Sequence, residues 1–272
     1  MDKKALVFSA HSLQTYVDCA RRFELSYLDG LVWPAVESEP LLESEAFLRN
    51  GRVFHEMVHQ DIIGLPVIVP TKPAVIGDWW ARYQSHAPAN IEGEKFPEKT
   101  LVGTVDGQVV VATYDLIVVT PDKRAIIFDW KTWRQPDRVR GIGEKLQSRI
   151  YPWLLVEAAG ILMPGLKLAP EAVEMRYWFT EKPEAPYVLR YGRDQYEADA
   201  TYLAALTQDV LQTASGDFLL TENEKKCTYC PYRSFCGRGD VAGLWQDFDG
   251  AEVVDEVAAL LGDLDDYESV AF

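Results

Sequence analysis

The chain has no apolar run of about eighteen residues or more, the length a helix needs to cross a bilayer, so no membrane span is expected. Its opening residues, MDKKALVFSAHSL, offer neither a long apolar stretch nor a small-residue cleavage site. A secretory leader is therefore not expected, and the cytoplasm is the default compartment. Positive charge is scarce: 27 Lys and Arg stand against 42 Asp and Glu, a net charge of −15. That excludes a generic coat for nucleic acid. It leaves room for a local basic groove, for which Arg21, Arg22, Arg134, Arg138, Arg140, Lys145 and Arg149 are candidates. The deficit is greatest in 240–272, an acidic tail with ten Asp or Glu and no Lys or Arg. No G-x-x-x-x-G-K-[ST] run occurs, so any strand unwinding would come from a partner. Cysteine is scarce too, with four in all, yet three of them fall within ten residues: Cys227, Cys230 and Cys236.

Apolar residues, by contrast, make up 48% of the chain and aromatics 12%, ample for a core. The most organised stretch is VATYDLIVVTPDKRAIIFDWK, Val111–Lys131. Alternating β-branched and aromatic residues, a turn at Pro121–Arg124 and the short apolar run Ala125–Phe128 predict two paired strands, the second buried on both faces. Charges inside so apolar a hairpin are costly unless paired or metal-bound. Asp129 and Lys131, two residues apart on a strand, share a face, and Asp115 sits on the neighbouring strand. Taken alone, Asp129 with Lys131 reads as a salt bridge at the sheet edge.

Around this hairpin the periodicities predict a helix from Leu13 to about Gly30, capped by Ser9 or Ser12 and carrying Cys19 within it. Trp33–Ser44 reads as a loop and Glu45–Ile63 as a helix, with His55 and His59 four residues apart on one face. Gly51 marks where that helix begins or packs closely. Ile76–His86 is partly helical, and Thr100–Val105 is a strand leading into an Asp106-Gly107 hairpin turn. Pro136–Gly143 is a basic loop. Glu144–Ala159 is a helix bearing Pro152, and its Gln147 and Tyr151 either edge the apolar stripe or line a site. Glu174–Thr180 and Tyr187–Tyr191 are strands, Asp194–Ala214 is a helix, and Thr221–Gly239 is the cysteine-bearing loop. A domain over 1–239 followed by the acidic tail 240–272 is the expected division.

Two groups of residues carry chemistry. Cys227-x2-Cys230-x5-Cys236 with the distant Cys19 supplies four thiolates, enough for tetrahedral zinc or a four-iron, four-sulfur cluster. Spacing alone does not choose between them. Either would tie Cys19 to Cys227, and closing a loop of roughly 200 residues stabilises by at most about 5 kcal/mol in the chain-entropy model. His55, Asp115 and Asp129 are ligand types suited to Mg²⁺ or Mn²⁺. With Lys131 beside them they suit phosphodiester hydrolysis, in which a metal makes the nucleophile and a lysine offsets charge on the phosphorane.

Ser9-x-x-Ser12-Leu13-x-x-Tyr16-x-x-Cys19, Gly51-x-x-x-His55, Asp115, Asp129-x-Lys131, Gln147-x-x-x-Tyr151 and the one-plus-three cysteines follow one another in this order. The set resembles the PD-(D/E)xK nuclease superfamily, in the branch of the RecB and AddB nuclease domains and the CRISPR-associated exonucleases that carry an iron–sulfur cluster. Two positions depart from that pattern: Ala20 stands where proline often follows the first cysteine, and Ala112 where glycine often precedes the first acid. Neither removes a ligand. The resemblance implies an α/β fold, with a central mixed sheet flanked by helices as in restriction endonucleases and an iron–sulfur-stapled subregion. It implies an Mg²⁺- or Mn²⁺-dependent DNase acting on single-stranded DNA or DNA ends in repair, recombination or a related pathway. A helicase or another repair or CRISPR protein is the expected partner. His55, Asp115, Asp129 and the Trp130 carbonyl would hold the metal, and Lys131 would be catalytic. Gln147 and Tyr151 would orient the site or the strand. Cys19, Cys227, Cys230 and Cys236 would hold a 4Fe-4S cluster in preference to zinc, and Glu98 would have at most a supporting role. The alternatives are a catalytically silent iron–sulfur DNA-binding subunit of a helicase–nuclease assembly and a structural zinc protein.

Overall fold

The computed structural model describes residues 6–31, 39–86, 88–132, 139–228 and 230–239. One mixed sheet contains β1 (Val7–Phe8), β2 (Glu94–Val105), β3 (Gln108–Val119), β4 (Ala125–Lys131), β5 (Val173–Phe179) and β6 (Tyr187–Arg190). The order is β1-β3-β4-β5-β6, with β2 also paired to β3. The two-residue Asp106-Gly107 turn has both φ angles positive, 46° and 77°, as a tight hairpin of matching twist requires. It sets Val105 opposite Gln108 and fixes the long β2–β3 register. β4 and β5 run parallel, so the chain needs a crossover between them, and α5 (Leu146–Leu162) provides it.

Helices cover both faces of the sheet. On one side α1 (Ala10–Asp18), α5 and α6 (Arg193–Gln212) pack on a core that includes Tyr114, Ile127, Ile150, Leu154 and Tyr177. On the other side α3 (Glu39–Ile62) and α4 (Ala74–His86) pack through Phe54, Met57, Trp79 and Tyr83 on Leu116, Phe128, Trp130 and Trp178. β4 is thus apolar on both faces, as its sequence predicts. No helix among the described residues is long and apolar enough to cross a membrane.

Three expectations are corrected. The first helix is not continuous to Gly30: α1 stops at Cys19, whose backbone is extended (φ −162°, ψ 105°). A short α2 (Ala20–Phe23) and a π turn over Glu24–Leu28 follow. The break has a tertiary cause. The Arg21 N–H turns to the Leu219 carbonyl (3.0 Å), and the buried Glu24 carboxylate accepts from the Gly216 N–H (2.6 Å). Second, α3 begins at Glu39, so part of the expected Trp33–Ser44 loop is helical. Third, two groove candidates are engaged within the body. Arg22 is buried against Asp18, and Arg149 is paired to the fully buried Asp199 at 3.0 Å. The expectations for 240–272, Arg134 and Arg138 fall outside the described residues, as does the Arg140 side chain.

Candidate metal and active site

The site forms where β3 and β4 part. Their ladder runs from Val119 opposite Ala125 to Leu116 opposite Phe128 and stops there. One more step would pair Asp115 with Asp129. Instead the Trp130 N–H donates to Asp115 Oδ2 at 2.7 Å, so a carboxylate takes the donor that a backbone carbonyl would otherwise satisfy. β3 also slips in phase here. Before Asp115, Val110, Ala112 and Tyr114 face the α5 side; after it, Ile117 and Val119 do. On the other flank β2 keeps the same register above and below, but no pair forms between Glu98 and Asp115, and Glu98 has a φ of 45°.

The parted strands let residues from both layers meet. His55 comes from α3. One turn earlier, a Cβ on Gly51 would sit 3.0 Å from Thr132 Oγ1, so glycine lets α3 approach the end of β4. His55 Nε2 then lies 2.9 Å from the Trp130 carbonyl. A carbonyl can only accept, so Nε2 carries the proton and Nδ1 faces Asp115 Oδ1 at 3.5 Å. Gln147 comes from α5 and bridges Asp129 and Lys131: its Nε2 donates to Asp129 Oδ1 (2.6 Å), and its Oε1 accepts from Lys131 Nζ (3.2 Å). Lys131 Nζ also lies 2.9 Å from Asp129 Oδ2 as an ion pair. It sits off the direction of a hydrogen bond, so that buried oxygen makes none. The Lys131 ammonium stands 5.5 Å over the Tyr177 ring. Tyr151 packs on Tyr114 with ring centres 4.7 Å apart, and its carbonyl accepts from the Tyr114 hydroxyl, so it braces the floor beneath the acids.

Burial opposes charge on His55, but Asp115, Asp129 and Glu98 outweigh it and raise the imidazole to about 9. Burial also opposes charge on Asp115, yet His55, the Trp130 N–H and Lys131 hold it below the usual range. Glu98 rises to about 7 through burial and the neighbouring Asp115. Asp129 rises to about 6 through burial, with Lys131 opposing and Asp115 adding. Protons therefore hold this cluster together where a cation could replace them. The donor set fits a divalent ion: His55, Glu98 and Asp115 each offer a ligand atom, all within 4.8 Å of one another. Among the described residues, Asp129 and His59 are not part of that group. Of the expected ligands the structure thus brings His55 and Asp115 together, sets Asp129 with Lys131 and Gln147, and places the Trp130 carbonyl against His55. Glu98 was undervalued from sequence, although counting back from the Asp106-Gly107 turn places it opposite Asp115.

The four cysteines gather at one corner. Cys19 closes α1, Cys227 ends a 3₁₀ turn over Glu224–Cys227, and the turns Cys230 N–H to Cys227 carbonyl (3.2 Å) and Cys236 N–H to Tyr232 carbonyl (2.9 Å) fold the loop. Burial pushes Cys227 and Cys236 up and Cys230 up to about 12, and the charge of Cys19 is felt at all three. Four converging thiols, with Cys227 buried and Cys19, Cys230 and Cys236 half-buried, are a set that fits a thiolate-bound centre. Tyr232 braces the corner by donating to the Leu31 carbonyl at 2.8 Å, and Lys226 lies 3.7 Å from Asp18.

A family model for the PD-(D/E)XK nuclease superfamily matches residues 70–237. The chain belongs to that superfamily. The match spans β2 to β6, so it contains Asp115, Asp129, Lys131 and Gln147 together with the three clustered cysteines, and it starts after His55 and Cys19. Among curated proteins no sequence matches the chain. Among solved structures, a protein from Eubacterium rectale described as a candidate exonuclease superposes with a TM-score of 0.50 at 9% identity, covering 89% of this chain and 91% of its own. Another structure, SSO0001, superposes with a TM-score of 0.43 at 17% identity over 85% and 86% of the two chains. The Eubacterium rectale protein shows the shared fold, a mixed sheet flanked by helices, at this level of identity.

Proposed function

We propose that the chain is a divalent-metal-dependent deoxyribonuclease that hydrolyses phosphodiester bonds in single-stranded DNA or at DNA ends. The observation that carries this reading is the meeting of Asp129, Lys131 and Gln147 with Asp115 and His55 where β3 and β4 part. The metal would be held on His55 and Asp115, with Asp129 and the Trp130 carbonyl beside it. When bound it supplies Lewis-acid activation of water and of the phosphate oxygens. Lys131 places its ammonium where the scissile phosphate gains charge, and Gln147 fixes both Lys131 and Asp129 by using its amide in both directions. Tyr151 and Tyr114 hold the wall of the site. The description of the Eubacterium rectale protein as an exonuclease agrees with action at ends.

The cysteine corner is assigned a 4Fe-4S cluster with a structural role. Four thiolates suit either centre, and it is the one-plus-three layout of Cys19 with Cys227, Cys230 and Cys236 that supports the cluster. A helicase or another repair protein would present the strand. The test is degradation of end-labelled single-stranded DNA with Mn²⁺ or Mg²⁺, wild type beside Lys131→Ala. Metal-dependent cleavage that falls by about 10²–10³-fold in the folded variant is expected. An intact wild type that degrades neither single- nor double-stranded DNA would reject the enzyme and leave a DNA-binding subunit.

A further inference from the structure

We propose that Glu98 is a direct ligand of the divalent cation, completing with His55 and Asp115 a site on the α3 side of the strand gap. The inference rests on reading the site as a metal-dependent nuclease, and it adds a residue that the Asp115, Asp129-x-Lys131 pattern does not contain.

The geometry points to Glu98 in three steps. First, its carboxylate belongs to the group whose ligand atoms all lie within 4.8 Å of one another. Ligands of an ion at about 2.1 Å stand about 3.0 Å apart when adjacent and about 4.2 Å apart when opposite, and His55 Nδ1 and Asp115 Oδ1, 3.5 Å apart, already lie between those limits. Second, Glu98 is exposed as a residue and could turn to water, yet its carboxylate tucks in beside His55 and Asp115. Like charges facing each other across two strands are unfavourable. A cation between them turns that repulsion into attraction. Third, Asp129 already has work elsewhere: one oxygen accepts from Gln147 and the other faces Lys131. It orients the lysine while Glu98 fills the coordination shell. One imidazole nitrogen and two carboxylates form a set that suits Mn²⁺ better than Mg²⁺, which favours oxygen ligands and keeps several waters.

The test uses the full chain with its cysteine centre and no DNA, titrating Mn²⁺ by calorimetry and following the unfolding midpoint. Glu98→Gln is expected to weaken Mn²⁺ binding at least about tenfold and to shrink the Mn²⁺-induced rise in Tm, while its metal-free Tm equals or exceeds that of wild type. Lys131→Ala should bind Mn²⁺ as wild type does. A Glu98→Gln chain with wild-type Mn²⁺ affinity, when Asp115→Asn has lost it, overturns this assignment and leaves the nuclease reading standing. A wild type that binds no Mn²⁺ overturns both. Anomalous diffraction from a Mn²⁺-soaked crystal gives a second check: density within coordination distance of Glu98 supports the assignment, and density only between Asp115 and Asp129 rejects it.

Discussion

The strand gap and the cysteine corner both gather ionisable groups, several of them half-buried, but they are held in opposite ways. At the gap, Asp115, Asp129 and His55 are each braced by the sheet or by a long helix. Asp115 takes a strand N–H, Asp129 takes the α5 amide of Gln147, and His55 rides on α3. These contacts are made by the protein's own groups, so the proposed ion would meet a site that is already arranged. At the corner, turns and a one-turn 3₁₀ segment carry Cys227, Cys230 and Cys236, and Tyr232 and Lys226 tie that loop to Leu31 and Asp18 near the N-terminus. The centre proposed there would add a cross-link between the N-terminal helices and this loop. Charge that is preorganised serves catalysis, whereas charge that must be neutralised to hold two distant segments serves stability.

That contrast predicts separable losses. The largest effect on stability should come from Cys227→Ser. Loss of the centre opens a loop whose closure is worth up to about 5 kcal/mol, so Tm should fall by about 10 °C or more and iron should vanish from the purified protein. Lys131→Ala, expected to remove cleavage, takes the cation from the buried Asp129, but that acid keeps Gln147 and can take up a proton, so Tm should fall by only about 2–5 °C. Calorimetry with metal analysis on both variants decides it. A Cys227→Ser chain that keeps its Tm would mean the corner is held by its own packing, and the contrast would break.

A smaller effect sharpens the catalytic half. Gln147→Leu strips the donor from Asp129 Oδ1 and the acceptor from Lys131. Partners that orient ligands and catalytic groups are typically worth 10–100-fold, and cleavage should drop by about that factor. Mn²⁺ affinity at His55, Glu98 and Asp115 should hold, because Gln147 touches none of them. Single-turnover rates beside a Mn²⁺ titration separate the two; a parallel loss of affinity would mean that Asp129 shares the ion after all.

The two regions also differed in how far their sequence could be read. Asp129 and Lys131 sit two residues apart, and strand alternation alone places them on one face. Gln147 needed the family pattern, because nothing local says that α5 crosses back over β4. Glu98 was within reach through the Asp106-Gly107 turn, but its φ of 45° and the slip at Asp115 are products of strand parting that no periodicity encodes. The break at Cys19 was hidden for a similar reason. The residues around it favour helix, and only the distant carbonyl of Leu219 and the backbone of Gly216 draw the chain out of it. Local patterns gave the elements; tertiary hydrogen bonds decided where they stop.

The smallest effect concerns the metal-free gap. His55 is raised from 6.5 to about 9, so the stability its protonation contributes is complete below about 6.5 and is lost as pH rises through 9. Glu98 and Asp129, raised to about 7 and about 6, act in the same direction, since the fold favours their neutral forms and is penalised once they ionise. Metal-free stability should therefore decline from mildly acid to alkaline pH. A bound cation takes over the role of these protons, so it should flatten that decline. The Mn²⁺-induced gain in Tm is expected to be larger at about pH 8.5 than at about pH 6 by a few degrees in the wild type, and the difference should shrink in Glu98→Gln. The cysteine corner has its own pH dependence, but soft thiolates are a poor match for Mn²⁺, so subtracting the metal-free curve removes it. An equal Mn²⁺ gain at both pH values would mean that proton and cation do not compete for the same three side chains, and the preorganised gap would lose its main electrostatic support.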